Sequence, residues 1–364
     1  MDIKGLTERI GGIRDPRRTK YGNLRHKLVD IIVIGLCTIV CGGEDFVDME
    51  EFGPERESWL RNFLELPSGI PDSDTIRRVF ERLNPAEVSK CLTNWVETER
   101  EKGKTVNIDG KTICGSGNAA HKAYHVVSAR VSDYGITLGD IAVDEKTNEI
   151  TAIPELLELI DVSGDVVTID AMGCQKGIAK KITEKGGDYV LGLKGNQGAL
   201  PEEVEYYFRN ETWLDSKVVR EKGHGRIEKR EYALETKIDW LYAKKEWSNL
   251  NGIGIVRSKV IEKGVERNET RYFITSLKEL EQFSNSVRGH WAIENRLHWT
   301  PDVVFGEDAA RAKKDQSPLN MNILRKTALA LLKNAALGNR LSIRKKMLKA
   351  ALNPNVLSKT LFQK

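Results

Sequence analysis

The sequence predicts an α/β chain, a mixed five-stranded sheet with flanking helices behind a helical N-terminal domain, on three observations. Residues 1 to about 100 read as short helices. Residues 104–193 alternate strands and helices in a fixed order, and a β-rich stretch then separates that order from a long helix over Lys278–Leu297.

The helical part opens with Leu28–Cys41, an apolar helix stopped at Gly42-Gly43. A second helix is expected over Phe46–Phe52, and a third begins or lies within Trp59–Leu64. The turn Gly69–Asp74 supplies capping side chains for Thr75–Leu83, and Pro85 opens a helix running to about Lys102. Short helices, tight turns and the pair Arg77-Arg78 fit a helix-turn-helix-like DNA-binding module, and they fit a plain helical bundle nearly as well.

From Lys104 the period changes. Thr105–Asp109 alternates like a half-buried strand, and Tyr124–Val131 and Ile136–Val143 are two more strands around the turn Ser132–Gly135. Ile153–Ile160 is a helix, Val166–Asp170 a buried strand, Gln175–Lys185 a helix and Tyr189–Leu193 a fifth strand. Three antiparallel strands followed by two reached through helical crossovers make the pattern of an RNase H-like α/β domain. Further strands around Val218–Arg220, Arg230–Leu234, Gly254–Ile261 and Arg271–Thr275 form an inserted β subdomain. The expected division is therefore a helical domain over residues 1–103, a catalytic α/β domain over 104–308 with its insertion at about 215–276, and a basic helical region over 309–364.

A chain of 364 residues can bury a large core, and 40% hydrophobic with 30% charged residues is ordinary for a globular protein. The N-terminus has no apolar signal core, and the run Ile31–Cys41 is too short to span a bilayer. A cytoplasmic, nucleoid-associated protein with no membrane partner is expected. The five cysteines form no CxxC pair and no zinc-ligand spacing, as for reduced thiols. The net charge of +4 is uneven: Ala309–Lys364 holds 13 Lys/Arg against the single acid Asp315, a balance of +12 that leaves −8 for the rest. A basic tail on an acidic body points to a polyanion, with nucleic acid the commonest.

Two-metal phosphodiester cleavage needs a few carboxylates converging on ions about 3.5–4 Å apart, and hard oxygen ligands suit Mg²⁺. Asp109 ends the first strand and Asp170 the fourth. In the expected fold these strands are parallel neighbours, so both carboxylates reach one sheet end. The third ligand is sought on a helix crossing the sheet, where His290, Glu294 and His298 share one face at i, i+4 and i+8. Zinc is disfavoured: the histidines stand about 12 Å apart along the axis, too far for one ion.

Several segments could hold DNA. Lys194, Asn196 and Gln197 follow the fifth strand at the same sheet end as the acids, and Gln175 and Lys176 open the helix after Asp170. His224 and Arg226, with Lys229 and Arg230, sit in the insertion. Lys111, Arg288, His290, Asn295 and His298 flank the acids, and Arg77 and Arg78 lie in the N-terminal helices. Trp291 and Trp299 read as core before base-stacking residues.

At these residues the chain resembles the H-repeat-associated (ISAs-type) insertion-sequence transposases of the DDE superfamily. The resemblance rests on Asp15-Pro16-Arg17-Arg18, Gly69–Thr75 with Arg77-Arg78-Val79-Phe80, Ile108–Thr112 and Thr168–Gln175. It continues through Asp188–Gln197, His224-Gly225-Arg226 and His290–Asn295 with Leu297-His298-Trp299. It implies an RNase H-like core with catalytic acids at Asp109, Asp170 and Glu294. It also implies two Mg²⁺ ions, with Mn²⁺ able to substitute, and recognition of terminal inverted repeats. Strand transfer would follow, with a 3′-hydroxyl attacking target double-stranded DNA in a homodimeric complex. Related enzymes often carry Arg four residues before the glutamate and Lys seven after; here those positions are His290 and Pro301, leaving Arg288 or Arg296 as substitutes. Two alternatives stay open: a nuclease of the same fold that cuts without joining, and a domesticated DNA-binding copy that has lost its chemistry.

Overall fold

Apolar residues occupy every side of Leu28–Cys41, so this helix has no solvent face: all but Val29 and Cys41 are buried, Asp30 included. It stops where expected. Gly42 takes a left-handed conformation (φ 102°), and the Gly42 and Gly43 amides bond back to the Ile39 and Thr38 carbonyls. The computed structural model describes residues 3–17, 22, 24–96, 101–117, 122–143, 148–195, 197–211, 215–223, 226–296, 299–338 and 341–362, with the side chains of residues 292–301 outside that description.

In chain order the first elements are α1 (Ile3–Gly11), α2 (Leu28–Cys41), α3 (Phe46–Leu60), α4 (Ser73–Phe80) and α5 (Pro85–Val96). Then come β1 (Thr105–Thr112), β2 (His125–Val131), β3 (Ile136–Val143), α6 (Glu149–Leu159), β4 (Val166–Ile169), α7 (Lys176–Glu184), β5 (Asp188–Leu193) and α8 (Leu200–Asn210). The insertion holds β6 (Ser216–Gly223), β7 (Arg226–Glu235), β8 (Gly252–Glu262) and β9 (Val265–Thr275). The chain continues through α9 (Leu280–Arg296), α10 (Trp299–Val304), α11 (Ser317–Asn334), α12 (Ile343–Leu352) and α13 (Pro354–Phe362).

The elements group into two compact units, one of Met1–Arg100, Gly110–Asp144 and Glu294–Lys364, the other of Glu101–Asp109 and Glu145–Ile293. Strand order through the sheet is β3-β2-β1-β4-β5-β9-β8-β7-β6, with β1 carrying residues of both units. The first five strands follow the RNase H-like order read from the sequence, and the insertion extends the same sheet by four antiparallel strands. The fold is a large mixed sheet with flanking helices.

In the first unit, α3 is one helix where the sequence reading expects a break. The helix runs through Pro54 despite the ladder bond and the carbonyl clash that an interior proline costs. Gly53 is needed for close packing, since a Cβ there would lie 2.2 Å from Ile70 Cγ2. The basic tail is partly spent internally. Lys346 is buried and donates to the carbonyls of Leu332 (2.7 Å) and Ala335 (2.9 Å), satisfying the end of α11. Lys326 is buried against Asp140 at 2.5 Å. All five cysteines are free, and burial pushes the Cys41 thiol up to about 12. Among the described residues no helix is long and apolar enough to cross a membrane.

In the second unit, β4 pairs in parallel with β1 and with β5, and all four β4 residues are buried. Helix α9 lies on the sheet through Phe283, Val287 and Trp291, four residues apart and all buried among Tyr232, Val256 and Phe273. Gly254 makes room for this: a Cβ there would meet the Phe283 ring at 2.3 Å.

Candidate active site

The site begins where β1 and β4 leave their paired register. Ile108 is the Cα partner of Ile169, so Asp109 and Asp170 each stand one residue beyond the same rung of two parallel strands. Asp109 is half-buried and Asp170 exposed. Asp170 is oriented by its own turn: its Oδ1 accepts the backbone N–H of Met172 (3.0 Å) and of Gly173 (3.3 Å). Its Oδ2 has no protein partner among the described residues. Gly192 of β5 allows the close approach of this turn, since a Cβ there would meet the Ala171 nitrogen at 3.1 Å.

Two residues earlier on each strand is a polar pair that the sequence reading missed. Asn107 Nδ2 donates to Thr168 Oγ1 at 2.7 Å, and both side chains are buried. Thr168 Oγ1 also bonds His290 Nδ1 of α9 at 3.0 Å, with the ring nitrogen able to take either role. One step further back, Thr105 Oγ1 donates to Ser286 Oγ of α9 at 3.4 Å. Two polar rungs therefore join β1 to α9. The signal in the sequence was a polar residue two positions before each aspartate in otherwise apolar strands. Thr168→Val should remove the hydroxyl that Asn107 and His290 share, lowering stability by about 0.5–1.5 kcal/mol per hydrogen bond in urea unfolding. An unchanged midpoint would mean the rung carries no weight.

Glu294 lies on α9, four residues after His290, with its side chain outside the described residues along with that of Asn295. His298, Asn196 and His224 also lie outside them. Among the described residues no group of three or more His, Cys, Asp or Glu side chains gathers as a metal site.

The remaining candidates divide by what already holds them. Lys194, just past β5, is exposed and makes no ion pair or hydrogen bond among the described residues. Gln197 Nε2 donates to the Cys174 carbonyl at 2.5 Å, and Gln175 Nε2 reaches the Met172 carbonyl at 3.5 Å, so both brace the Asp170 turn. Lys176 pairs with Glu246, Arg226 with Glu228 and Arg288 with Glu221. Arg77 pairs with Asp74 (2.9 Å) and Glu81 (2.6 Å), and Arg78 with Asp74 at 3.4 Å. Trp291 is core, as expected, with the Arg230 and Arg271 guanidinium carbons 5.0 and 5.1 Å from its ring centre.

Lys111, on β1, is held inside the first unit. Its amine meets Asp302 Oδ1 and Glu307 Oε2, each at 2.7 Å. Glu307 is fully buried and also accepts from Asn322. Burial alone would raise the Glu307 pKa, but the charge and hydrogen bond of Lys111, with Arg325 and Asn322, hold it below the ordinary value. Gly115 lets this turn close in: a Cβ there would lie 2.6 Å from the Glu307 carbonyl oxygen.

Sequence comparison gives the class. A family model described as "Transposase DDE domain" matches residues 95–331, and one described as "DDE_Tnp_1-associated" matches residues 7–96. The chain belongs to the DDE transposase family. Similar proteins include "H repeat-associated putative transposase YhhI" of Escherichia coli strain K12, 36% identical over 99% of this chain and 98% of that one. "Putative transposase YncI" of Escherichia coli O157:H7 is 36% identical over 97% of this chain and 93% of its own. A cryo-EM structure of a piggyBac transposase synaptic complex with hairpin DNA aligns with 99% of this chain and 78% of its own. At 12% identity and a TM-score of 0.42 it is too distant to bear on the fold.

Proposed function

We propose that this protein is an insertion-sequence transposase that cuts DNA at the element's ends and joins them to target DNA, using Asp109, Asp170 and Glu294. The observation that carries the reading is the pair of rungs Thr105–Ser286 and Asn107–Thr168–His290. Two residues along a strand advance about 6.6 Å, and four along a helix about 6 Å. The two ladders thus stay in step, and the next position on each element is Asp109 on β1, Asp170 after β4 and Glu294 on α9.

A set of three carboxylates suits a hard divalent cation such as Mg²⁺ or Mn²⁺, and the unengaged Asp170 Oδ2 is a donor of the required kind. Bound there, a pair of such ions would supply Lewis-acid stabilisation and a more acidic water. The chain's own part is to fix the acids: the Asp170 turn orients one carboxylate, and the buried polar rung sets the spacing of the strands and helix. In the first reaction a water oxygen forms a bond to phosphorus and the P–O3′ bond breaks, leaving a 3′-hydroxyl and a 5′-phosphate. In the second that hydroxyl attacks a target phosphodiester, one P–O bond replacing another. Lys194 and Gln197, past the end of β5, are suited to hold backbone phosphate.

In this proposal residues 1–103 hold the element ends, 104–308 cut and join, and 309–364 support DNA or dimer contacts, at the nucleoid. The test combines purified protein, Mg²⁺ or Mn²⁺, labelled duplex carrying the inverted repeats that flank the reading frame, and a supercoiled plasmid. Labelled ends joined to plasmid are the expected product. Cut ends without joining would make the protein a nuclease, and binding without cutting a copy that has lost catalysis.

A further inference from the structure

The register of β6–β9 decides which side chains share a face of the insertion. Side chains alternate across a strand, so Cα partners form rows over the sheet. One row runs Arg220, Lys229, Lys259, Asn268, all exposed. Beside it on the same face run Val218, Glu231, Arg257, Thr270 and Lys222, Ile227, Ile261, Glu266. Like charges directly opposite on paired strands are destabilising, and the first row repeats that juxtaposition twice, β6 to β7 and β7 to β8.

The other face does the reverse. There Arg226 and Arg230 meet Glu228, Arg230 and Arg288 meet Glu221, and Arg271 meets Glu269. Acids are thus concentrated where they neutralise arginines beside α9. The three rows of the outer face keep five cations, Lys222, Arg220, Lys229, Lys259 and Arg257, against Glu231 and Glu266, with Glu235 further along β7 on the same face. Lys259 meets Glu266 at 2.7 Å. Among the described residues the side chains of Arg220, Lys222 and Lys229 have no ion pair or hydrogen bond, so within the row only Lys259 is offset by a counter-charge.

We propose that this outer face of β6–β8 is a docking surface for the backbone of duplex DNA, a reading that rests on the proposed transposase function. Neighbouring strands lie about 4.8 Å apart, so the Arg220–Lys229–Lys259 row spans about 10 Å. Duplex DNA presents one phosphate per about 3.4 Å of axis on each strand, a charge density that this row can meet. Phosphate contacts carry no base information, so the face holds DNA irrespective of sequence and serves flank or target as readily as the element end.

The test measures duplex binding by the full-length protein against salt, with Asp109→Asn present throughout to prevent cutting. The triple variant Arg220→Gln/Lys229→Gln/Lys259→Gln is compared with its parent on an element-end duplex and an unrelated one. Each lost phosphate contact lowers the slope of log K against log salt by about 0.9, so a fall of about 2–3 is expected, with at least about tenfold weaker binding to both duplexes. An unchanged slope, or a loss confined to the element-end duplex, overturns the proposal. The three positions are exposed and their like charges repel one another, so the urea midpoint should not fall. Should the triple variant unfold, Lys229→Gln alone decides, by a slope change of about 0.9 or none. If the unmutated protein joins ends to plasmid while the triple variant keeps its slope, this surface is refuted and the transposase reading stands. If the unmutated protein neither binds nor joins DNA, the transposase reading falls first.

Discussion

Asp109→Asn is expected to abolish metal-dependent cleavage while leaving DNA binding intact. Asparagine matches the aspartate in size and keeps one carbonyl oxygen, so β1 and its pairing to β4 should survive. What is lost is the negative charge of a proposed metal ligand, one residue beyond the Ile108–Ile169 rung. Divalent ions in such sites contribute several kcal/mol of transition-state stabilisation, and each 1.36 kcal/mol is about tenfold in rate. Removing one of their charged ligands should therefore cost at least about a thousandfold in single-turnover cleavage. Gel-shift affinity for end DNA should change little. Cleavage within about tenfold of the parent would remove Asp109 from the reaction.

The second large effect lies in the first unit. Lys111→Met takes the cation away from Glu307, which has no solvent to turn to. Breaking a buried ion pair from one side costs about 3–5 kcal/mol, because the remaining charge stays buried. Urea unfolding at pH 7 should show a loss of that size, and pH should then reveal its cause. In the native protein burial pushes the Glu307 pKa up, yet Lys111, Arg325 and Asn322 bring it below the ordinary glutamate value. A folded pKa below the unfolded one gives stability that is present above the unfolded pKa and lost as pH falls through the folded one. Without Lys111 burial dominates and the sign reverses, since protonation now relieves the buried charge. The gap between variant and parent should narrow as pH falls from about 7 to about 5. A gap that stays constant over that range would mean the loss comes from packing instead.

Much of the fold was legible because it is written locally. Gly42-Gly43 ends α2 by a backbone conformation that glycine adopts freely, and β2 to β5 lie within a residue of their expected ends, whereas β1 runs three residues past Asp109 to Thr112. Asp109 and Asp170 could be found because each follows an apolar strand residue, although the strand end expected at Asp109 is not one: β1 continues to Thr112, and Asp170 lies one residue past β4. Contacts set by long-range register were not legible. Lys111 meets a glutamate 196 residues away, and nothing near either residue announces the other. The rung through Asn107, Thr168 and His290 needs three elements to be in step, and the row Arg220–Lys229–Lys259 exists only once two hairpins have chosen their pairing. Separate helices expected over Phe46–Phe52 and within Trp59–Leu64 are instead the single helix α3, which runs through Gly53-Pro54. Ile70, which packs against Gly53 from 17 residues away, is not a partner that local pattern reveals.

The alternation of β1 has a consequence for how this gene can drift. Thr105, Asn107, Asp109 and Lys111 occupy one side of a single strand, and three of them are engaged through their side chains by Ser286, Thr168, Asp302 or Glu307. A change of residue type can be tolerated one position at a time, but an inserted or deleted codon between 105 and 111 exchanges the two sides at once. Length in this stretch is therefore a harder constraint on descent than identity, and frame-preserving indels should be purged there before most missense changes.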